Sequence, residues 1–264
     1  MDNYLKINQK SWNKRLETHL ESDFYDLDAF VKGKSSLNSI ELDLLGDIKG
    51  KRILHLQCHF GQDSISLSRL GAKVTGVDLS DQSIIKGKEL AIECNTDTQF
   101  ICSDVYDLPN HLNEKFDIVF TSYGTISWLP DLNKWAKVIS HFLNPGGNFV
   151  FVEFHPVVWM FDDDLQKVAY NYFNEKPIVE EESGTYADRD ADFKNQYVCW
   201  NHAIGENVTS LIQNDLTIES LQEYDYSPYN ALNHMEEFEK GKFRIKHFNN
   251  KAPLVYSIVA TKGS

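Results

Sequence analysis

Two carboxylates placed just after short apolar runs are the residues most able to do chemistry in this chain. Asp78 closes Ala72-Lys-Val-Thr-Gly-Val-Asp78, about 20 residues past the turn Gln57-Cys-His-Phe-Gly61. A carboxylate at that place can accept two hydrogen bonds from a ribose diol. Asp104 follows Phe100-Ile-Cys102. An acid there can accept from an adenine amine while the Val105 N–H donates to the ring. Gly61 allows a backbone to approach a ligand closely. Thr121-Ser-Tyr-Gly124 offers small residues, Ser122 among them, across which a ligand can lie. Two histidines are candidate proton acceptors: His155, at the end of an apolar strand, and His202, in Trp200-Asn-His202. Tyr25, Tyr123, Trp128 and Trp200 are candidates for an aromatic wall, whose faces suit a cation.

The elements that position these groups follow from periodicity and punctuation. Residues 1–50 read as helical, with Trp12, Leu16, His19 and Leu20 on one face. Ser36 is placed to cap a second helix that carries Leu37, Ile40, Leu44 and Leu45 and stops at Gly46. Strands and helices then alternate through residues 51–155. Ile53 to Leu56, Val74 to Val77, Phe100 to Cys102, Phe116 to Phe120 and Phe149 to Phe154 read as strands. Helices between them carry Ile65 to Leu70, Ile84 to Ile92 and Trp135 to Phe142. Apolar strands alternating with helices imply a parallel sheet with right-handed crossovers. Residues 156–200 break the pattern and read as an inserted β-rich lobe for substrate. Residues 201–264 add a helix near Gly205 and two strands, Leu216 to Leu221 and Pro253 to Ala260. No helix separates that last pair, so antiparallel pairing is expected. The fold class is thus α/β. A seven-stranded, mostly parallel sheet with an antiparallel last strand carries helices on both faces. All 264 residues form one domain.

Composition narrows the partners. The formal net charge of −13 is a poor match for a nucleic-acid backbone. The N-terminus has no signal-peptide pattern, and no apolar run nears the roughly 20 residues of a membrane span. Cys58, Cys94, Cys102 and Cys199 form no CxxC pair and read as reduced thiols. A cytoplasmic protein, monomeric or homodimeric, is expected. The acidic run Asp188, Asp190 and Asp192 begins like a calcium loop. However, Phe193 stands where the loop needs glycine and Cys199 where it needs glutamate. No metal is expected.

The order of elements, Asp78, Asp104, the Leu143-Asn-Pro-Gly-Gly147 turn and the final strand pair resemble a class I S-adenosylmethionine-dependent methyltransferase, whose sheet is Rossmann-like. His55-Leu-Gln-Cys-His-Phe-Gly-Gln-Asp63 and Thr121-Ser-Tyr-Gly-Thr-Ile-Ser-Trp-Leu-Pro130 resemble a bacterial small-molecule group within it, as do Ser22-Asp-Phe-Tyr25 and Trp200-Asn-His202. The resemblance implies S-adenosylmethionine as cofactor, bound by Gln57, His59, Gly61, Asp78, Leu79, Asp104, Val105, Ser122 and Tyr25. It also implies methyl transfer to an oxygen or nitrogen of a small-molecule acceptor; His155, at the end of the fifth strand and facing the expected acceptor mouth, is then the best candidate base. One departure stands out. The superfamily's first motif is commonly an acid followed by GxGxG. Here His55 holds the acid position, and Gln57 and His59 hold two glycine positions. On that reading Gln57 bonds the aminoacyl tail and His59 lies near it. A nicotinamide oxidoreductase is disfavoured, because Asp63 at the helix start would repel a pyrophosphate. A non-catalytic binder of the same nucleoside is the other alternative.

Overall fold

The computed structural model describes residues 3–263. In chain order the elements are α1 (Tyr4–Glu21), α2 (Leu27–Val31), α3 (Ser39–Leu45), β1 (Arg52–Leu56), α4 (Gln62–Arg69), β2 (Lys73–Asp78), α5 (Asp81–Glu93), β3 (Gln99–Cys102), β4 (Phe116–Ser122), α6 (Leu132–Phe142), β5 (Leu143–Phe154), β6 (Ile178–Ser183), β7 (Lys194–Cys199), α7 (Ile204–Ile212), β8 (Leu216–Tyr224), β9 (Met235–Glu239), β10 (Lys242–Ile245) and β11 (Val255–Lys262). One seven-stranded sheet runs β3-β2-β1-β4-β5-β11-β8. Strands β1 to β5 pair in parallel, and β11 lies antiparallel to both β5 and β8.

The sheet is buried on both faces because its central strands carry apolar residues of both parities. Leu54, Val119, Phe149 and Phe151 point to one side, where Trp135 and Ile139 of α6 and Leu211 of α7 cover them. Ile53, Ile118, Phe120 and Val150, of opposite parity, meet Leu45 of α3 and Leu67 of α4. Strand order reverses between β1 and β4, which opens a crevice at the carboxyl ends of the parallel strands.

Several local expectations change. Asn38, not Ser36, begins α3; the Glu41 carboxylate accepts from the Asn38 backbone N–H at 3.4 Å and its side-chain amide at 3.2 Å. Ser36 instead bonds Ser66. In α5 only Ile84 of the three isoleucines turns inward, beside Gly87 and Ala91. Ile85 and Ile92, one position further round, are exposed. Strand β5 begins at Leu143, so the Asn144-Pro-Gly-Gly147 turn is an irregularity inside the strand pairing. Within 156–200, β6 and β7 pair as a hairpin, whereas the β-like run Val168-Ala-Tyr-Asn-Tyr172 forms no strand and Val168 makes only an isolated bridge with Phe161. The β9–β10 hairpin, between β8 and β11, has no counterpart in the sequence reading.

The helix α1 packs on α5 through Leu16, which joins the apolar cluster of Ile84, Leu90 and Ala91, and is tied to β7 by polar side chains. The Asn8 amide donates to the Val198 carbonyl and accepts from its N–H, both at 2.9 Å. Arg15, almost wholly buried, pairs with Glu182 at 2.7 Å. These bonds bring the N-terminal helix and the inserted hairpin together over the crevice.

Candidate functional site

The turn after β1 is the floor of the crevice. Gln57, His59 and Gly61 all adopt left-handed backbone conformations, with φ of 55°, 53° and 83°. The glycine pattern is therefore kept in conformation although two glycines are gone. A left-handed residue with a side chain costs roughly 1–2 kcal/mol, so neighbouring bonds must hold Gln57 and His59 there. The holding bonds are visible. The His59 N–H donates to Asp78 Oδ2 at 2.8 Å, and the Gln57 side-chain amide donates to the Thr125 carbonyl at 2.7 Å. The other Asp78 oxygen accepts from the Ser80 N–H at 2.8 Å. Burial pushes the Asp78 carboxyl up to about 6 despite these amide bonds.

Gly61 has a different role from the one its sequence position suggests. A Cβ there would lie 2.3 Å from the Phe100 ring. The glycine is needed for φ and for packing on β3, not only for approach by a ligand.

Asp104 and Val105 follow β3. Asp104 accepts from the Tyr106 N–H at 3.3 Å, and burial raises its carboxyl. Ser122 ends β4, and its hydroxyl points to Asp63 Oδ2 at 3.4 Å. The loop after Ser122 is tied down by a residue that sequence reading passed over. Glu153 is buried inside apolar β5, and its carboxylate accepts from the N–H groups of Gly124, Thr125, Ile126 and Phe154 and from the Thr125 hydroxyl. An acid in the middle of Phe149-Val-Phe-Val-Glu-Phe154 was the available signal.

A cavity of about 540 Å³ runs over these strand tips. All nine positions expected to bind the cofactor line it: Gln57, His59, Gly61, Asp78, Leu79, Asp104, Val105, Ser122 and Tyr25. Tyr123 and Trp128 line it too, whereas Trp200 stands behind, edge-on to Tyr4 at 5.2 Å. The cap side adds residues not expected from the sequence: Phe24, Tyr186 and Tyr229. Phe24 stacks on Tyr229 at 5.5 Å, and Tyr123 meets Tyr229 edge-on at 5.0 Å. The hydroxyls of Tyr25 and Tyr186 are hydrogen-bonded to each other. His59 stacks on Tyr25 at 5.5 Å, and its Nε2 lies 3.0 Å from His19 Nδ1. Burial lowers His59 to about 3 and His19 to about 2, so both rings are neutral.

The expected base, His155, is placed elsewhere. It does not line the cavity; its Nε2 pairs with Glu223 at 2.8 Å and its Nδ1 accepts from the Val157 N–H at 3.2 Å. The His155 side chain reaches over β11 to β8 rather than toward the crevice. His202 is likewise outside, with Nε2 at 2.8 Å from the Leu129 carbonyl. The cavity instead offers Tyr123, whose hydroxyl donates to buried Glu41 at 3.1 Å. Burial first, then the nearby charge of Asp63, pushes Glu41 up to about 7. No group of metal-ligating side chains is present among the described residues.

A seven-stranded sheet of this order, with an acid at each of two strand tips over one cavity, defines the class I S-adenosylmethionine-dependent methyltransferase fold. Residues 53–147 match the family model described as a methyltransferase domain. Curated relatives include a ubiquinone biosynthesis O-methyltransferase of Idiomarina loihiensis, 29% identical over 136 residues, which are 50% of this chain and 56% of that protein. Another, from Xanthomonas oryzae pv. oryzae, is 29% identical over 48% of this chain and 54% of its own length. The chain thus spans about half the length of the curated relatives it matches. Among solved structures, a Clostridium acetobutylicum S-adenosylmethionine-dependent methyltransferase aligns with a TM-score of 0.60 at 16% identity, covering 96% of this chain and 99% of that one. A putative methyltransferase from Listeria monocytogenes aligns with a TM-score of 0.56 at 20% identity, covering 84% and 95%. The fold is shared with both.

Proposed function

We propose that this protein transfers the methyl group of S-adenosylmethionine to an oxygen or nitrogen of a small-molecule acceptor. The observation that carries the reading is the track of polar groups along one cavity, from Asp104 at β3 through Asp78 at β2 to the turn after β1. The residues fit the cofactor. Asp78 is fixed by two backbone amides with lone pairs to spare for a ribose diol. Gln57 Oε1 and His59 Nδ1 are buried without partners on the turn that would meet the aminoacyl tail.

When bound, S-adenosylmethionine supplies a methyl group already activated on a sulfonium, so positioning does much of the work. Asp78 holds the ribose, and Asp104 with the Val105 N–H holds the adenine. Tyr25, Tyr123 and Trp128 exclude water and face the cationic centre. An acceptor hydroxyl passes its proton to the Tyr123 oxygen as Tyr123 gives its own to Glu41, the group whose raised pKa suits neutral pH. The cavity is walled by one chain, so a monomer or a homodimer serves equally. No described helix is long and apolar enough to cross a membrane. The free thiols favour the cytoplasm.

Calorimetric titration with S-adenosylmethionine, S-adenosylhomocysteine and NADH tests the reading; binding of NADH alone would sink it. Asp78→Ala should weaken S-adenosylhomocysteine about 100-fold, since it removes ribose bonds and an anchor of the His59 turn. An unchanged affinity would displace the ribose from Asp78. Release of S-adenosylhomocysteine with any acceptor separates an enzyme from a binding protein.

A further inference from the structure

The aminoacyl tail of the cofactor carries an ammonium, and a buried ammonium needs a carboxylate. Four aspartates line the cavity: Asp26, Asp63, Asp78 and Asp104. Asp26 is already paired with Lys34 at 2.8 Å. Asp78 has an oxygen on each of two backbone amides, and Asp104 lies beyond it on the β3 side. Asp63 is different. It sits in the first turn of α4, directly after the Gln57–Gly61 turn, with only hydroxyl partners. No lysine or arginine pairs with it among the described residues. Beside it, β1 brings no negative charge: His55 is buried against Ser64 and held neutral, with its pKa lowered to about 3 by burial.

A second observation points to the same ligand group. The Gln57 side chain is locked by its N–H bond to the Thr125 carbonyl, and its Oε1 is buried with no donor. An amide oxygen that must be satisfied, on the same cavity as a carboxylate that lacks a cation, makes a donor-hungry pair. Along the strand tips the order is Asp104, Asp78, the Gln57–Gly61 turn and then Asp63, which is the order of adenine, ribose and methionine tail in an extended cofactor.

We propose that Asp63, together with the amide oxygen of Gln57, holds the α-ammonium of the S-adenosylmethionine tail. This rests on the methyltransferase reading. It assigns to the first turn of α4 the charge that is absent from β1, where His55 stands next to the last residue of the strand. It also gives Gln57 a reason to occupy a left-handed position at which glycine carries no strain.

The test compares S-adenosylhomocysteine with its deaminated analogue, S-adenosyl-4-thiobutanoate, by calorimetry on the full chain. Wild-type protein should prefer S-adenosylhomocysteine by about 10- to 100-fold, the range of a charge-assisted hydrogen-bonded pair. The preference should shrink as pH falls and Asp63 takes a proton. In Asp63→Asn, S-adenosylhomocysteine should weaken by the same factor, while the analogue stays within about threefold. Gln57→Asn should show a smaller loss of the same kind. Equal losses for both ligands, or no loss for either, overturn the proposal. The wild-type preference and its pH dependence decide the matter even if Asp63→Asn fails to fold, because a wild type that binds both ligands equally overturns it too. A wild type that binds neither ligand defeats the methyltransferase reading itself.

Discussion

The two walls of the cavity are built in different ways. The wall proposed to hold adenosine, the adenosine wall below, comes from adjacent strand tips, where β1, β2 and β3 each deliver one turn. Its polar groups are held by backbone: Asp78 by the His59 and Ser80 amides, Asp104 by the Tyr106 amide. The cap wall is assembled from segments far apart in sequence, with Phe24, Tyr123, Tyr186 and Tyr229 brought together as rings on rings. Its polar links are side chain to side chain, such as Tyr25 to Tyr186 and Tyr123 to Glu41. A wall of backbone-anchored turns tolerates little change, and a wall of side chains can be re-lined. That is the division expected where one ligand is common to a fold and the other varies.

The sharpest break in that comparison is expected on the adenosine wall. Gly61→Ala places a methyl group 2.3 Å from the Phe100 ring while keeping a φ of 83°. Overpacking and left-handed strain together should cost about 3–5 kcal/mol. A denaturant midpoint unchanged from wild type would refute the packing role of this glycine. On the cap wall, Glu41 should show itself through pH. Its pKa is raised from 4.5 to about 7, so the stability associated with its neutral form is complete below about 4.5 and is lost as pH rises through about 7. Asp78, raised to about 6, acts in the same direction. Glu41→Gln keeps the helix-start contact with Asn38 and removes the ionisation. The variant should match wild type near pH 4 and exceed it by roughly 3 kcal/mol at pH 8. Parallel stability curves across that range would show that Glu41 does not ionise in the folded protein.

The same division decided what could be read from the sequence. The sheet was legible because buried parallel strands are short, mostly apolar runs, and Ile53-Leu-His-Leu56 and Phe116-Asp-Ile-Val-Phe120, each with a single polar residue, are such runs. Asp78 and Asp104 were legible because position relative to a strand end fixes where a side chain sits in an α/β sheet. His155 was misplaced by that same rule. It follows β5, but its side chain reaches across β11 to Glu223 of β8, which takes its ring away from the crevice. The cap was illegible for another reason. Helix α1 buries Asn8, Ser11 and Arg15, polar residues that periodicity counts as surface, beside Leu16 and His19 of the expected face. Their partners lie roughly 40 to 190 residues away in sequence, which no local pattern reports.

His59 joins the two walls, and changing it should give the smallest and most local effect. Its backbone serves the adenosine wall through Asp78, while its ring serves the cap through His19, Tyr25 and Trp12. His59→Gly relieves roughly 1 kcal/mol of left-handed strain and gives up ring contacts of similar size. Global stability should therefore move by less than about 1 kcal/mol. The Asp78 anchor survives, since glycine keeps the N–H, so S-adenosylhomocysteine affinity should stay within a few-fold. What should change is the attachment of α1. Amide exchange over residues 12–25 should quicken severalfold, while β1 and β2 keep their protection. Equal quickening in the strands would mean that the ring supports the sheet rather than the cap. Unchanged exchange in α1 would mean that the Asn8–Val198 and Arg15–Glu182 links hold the helix without it.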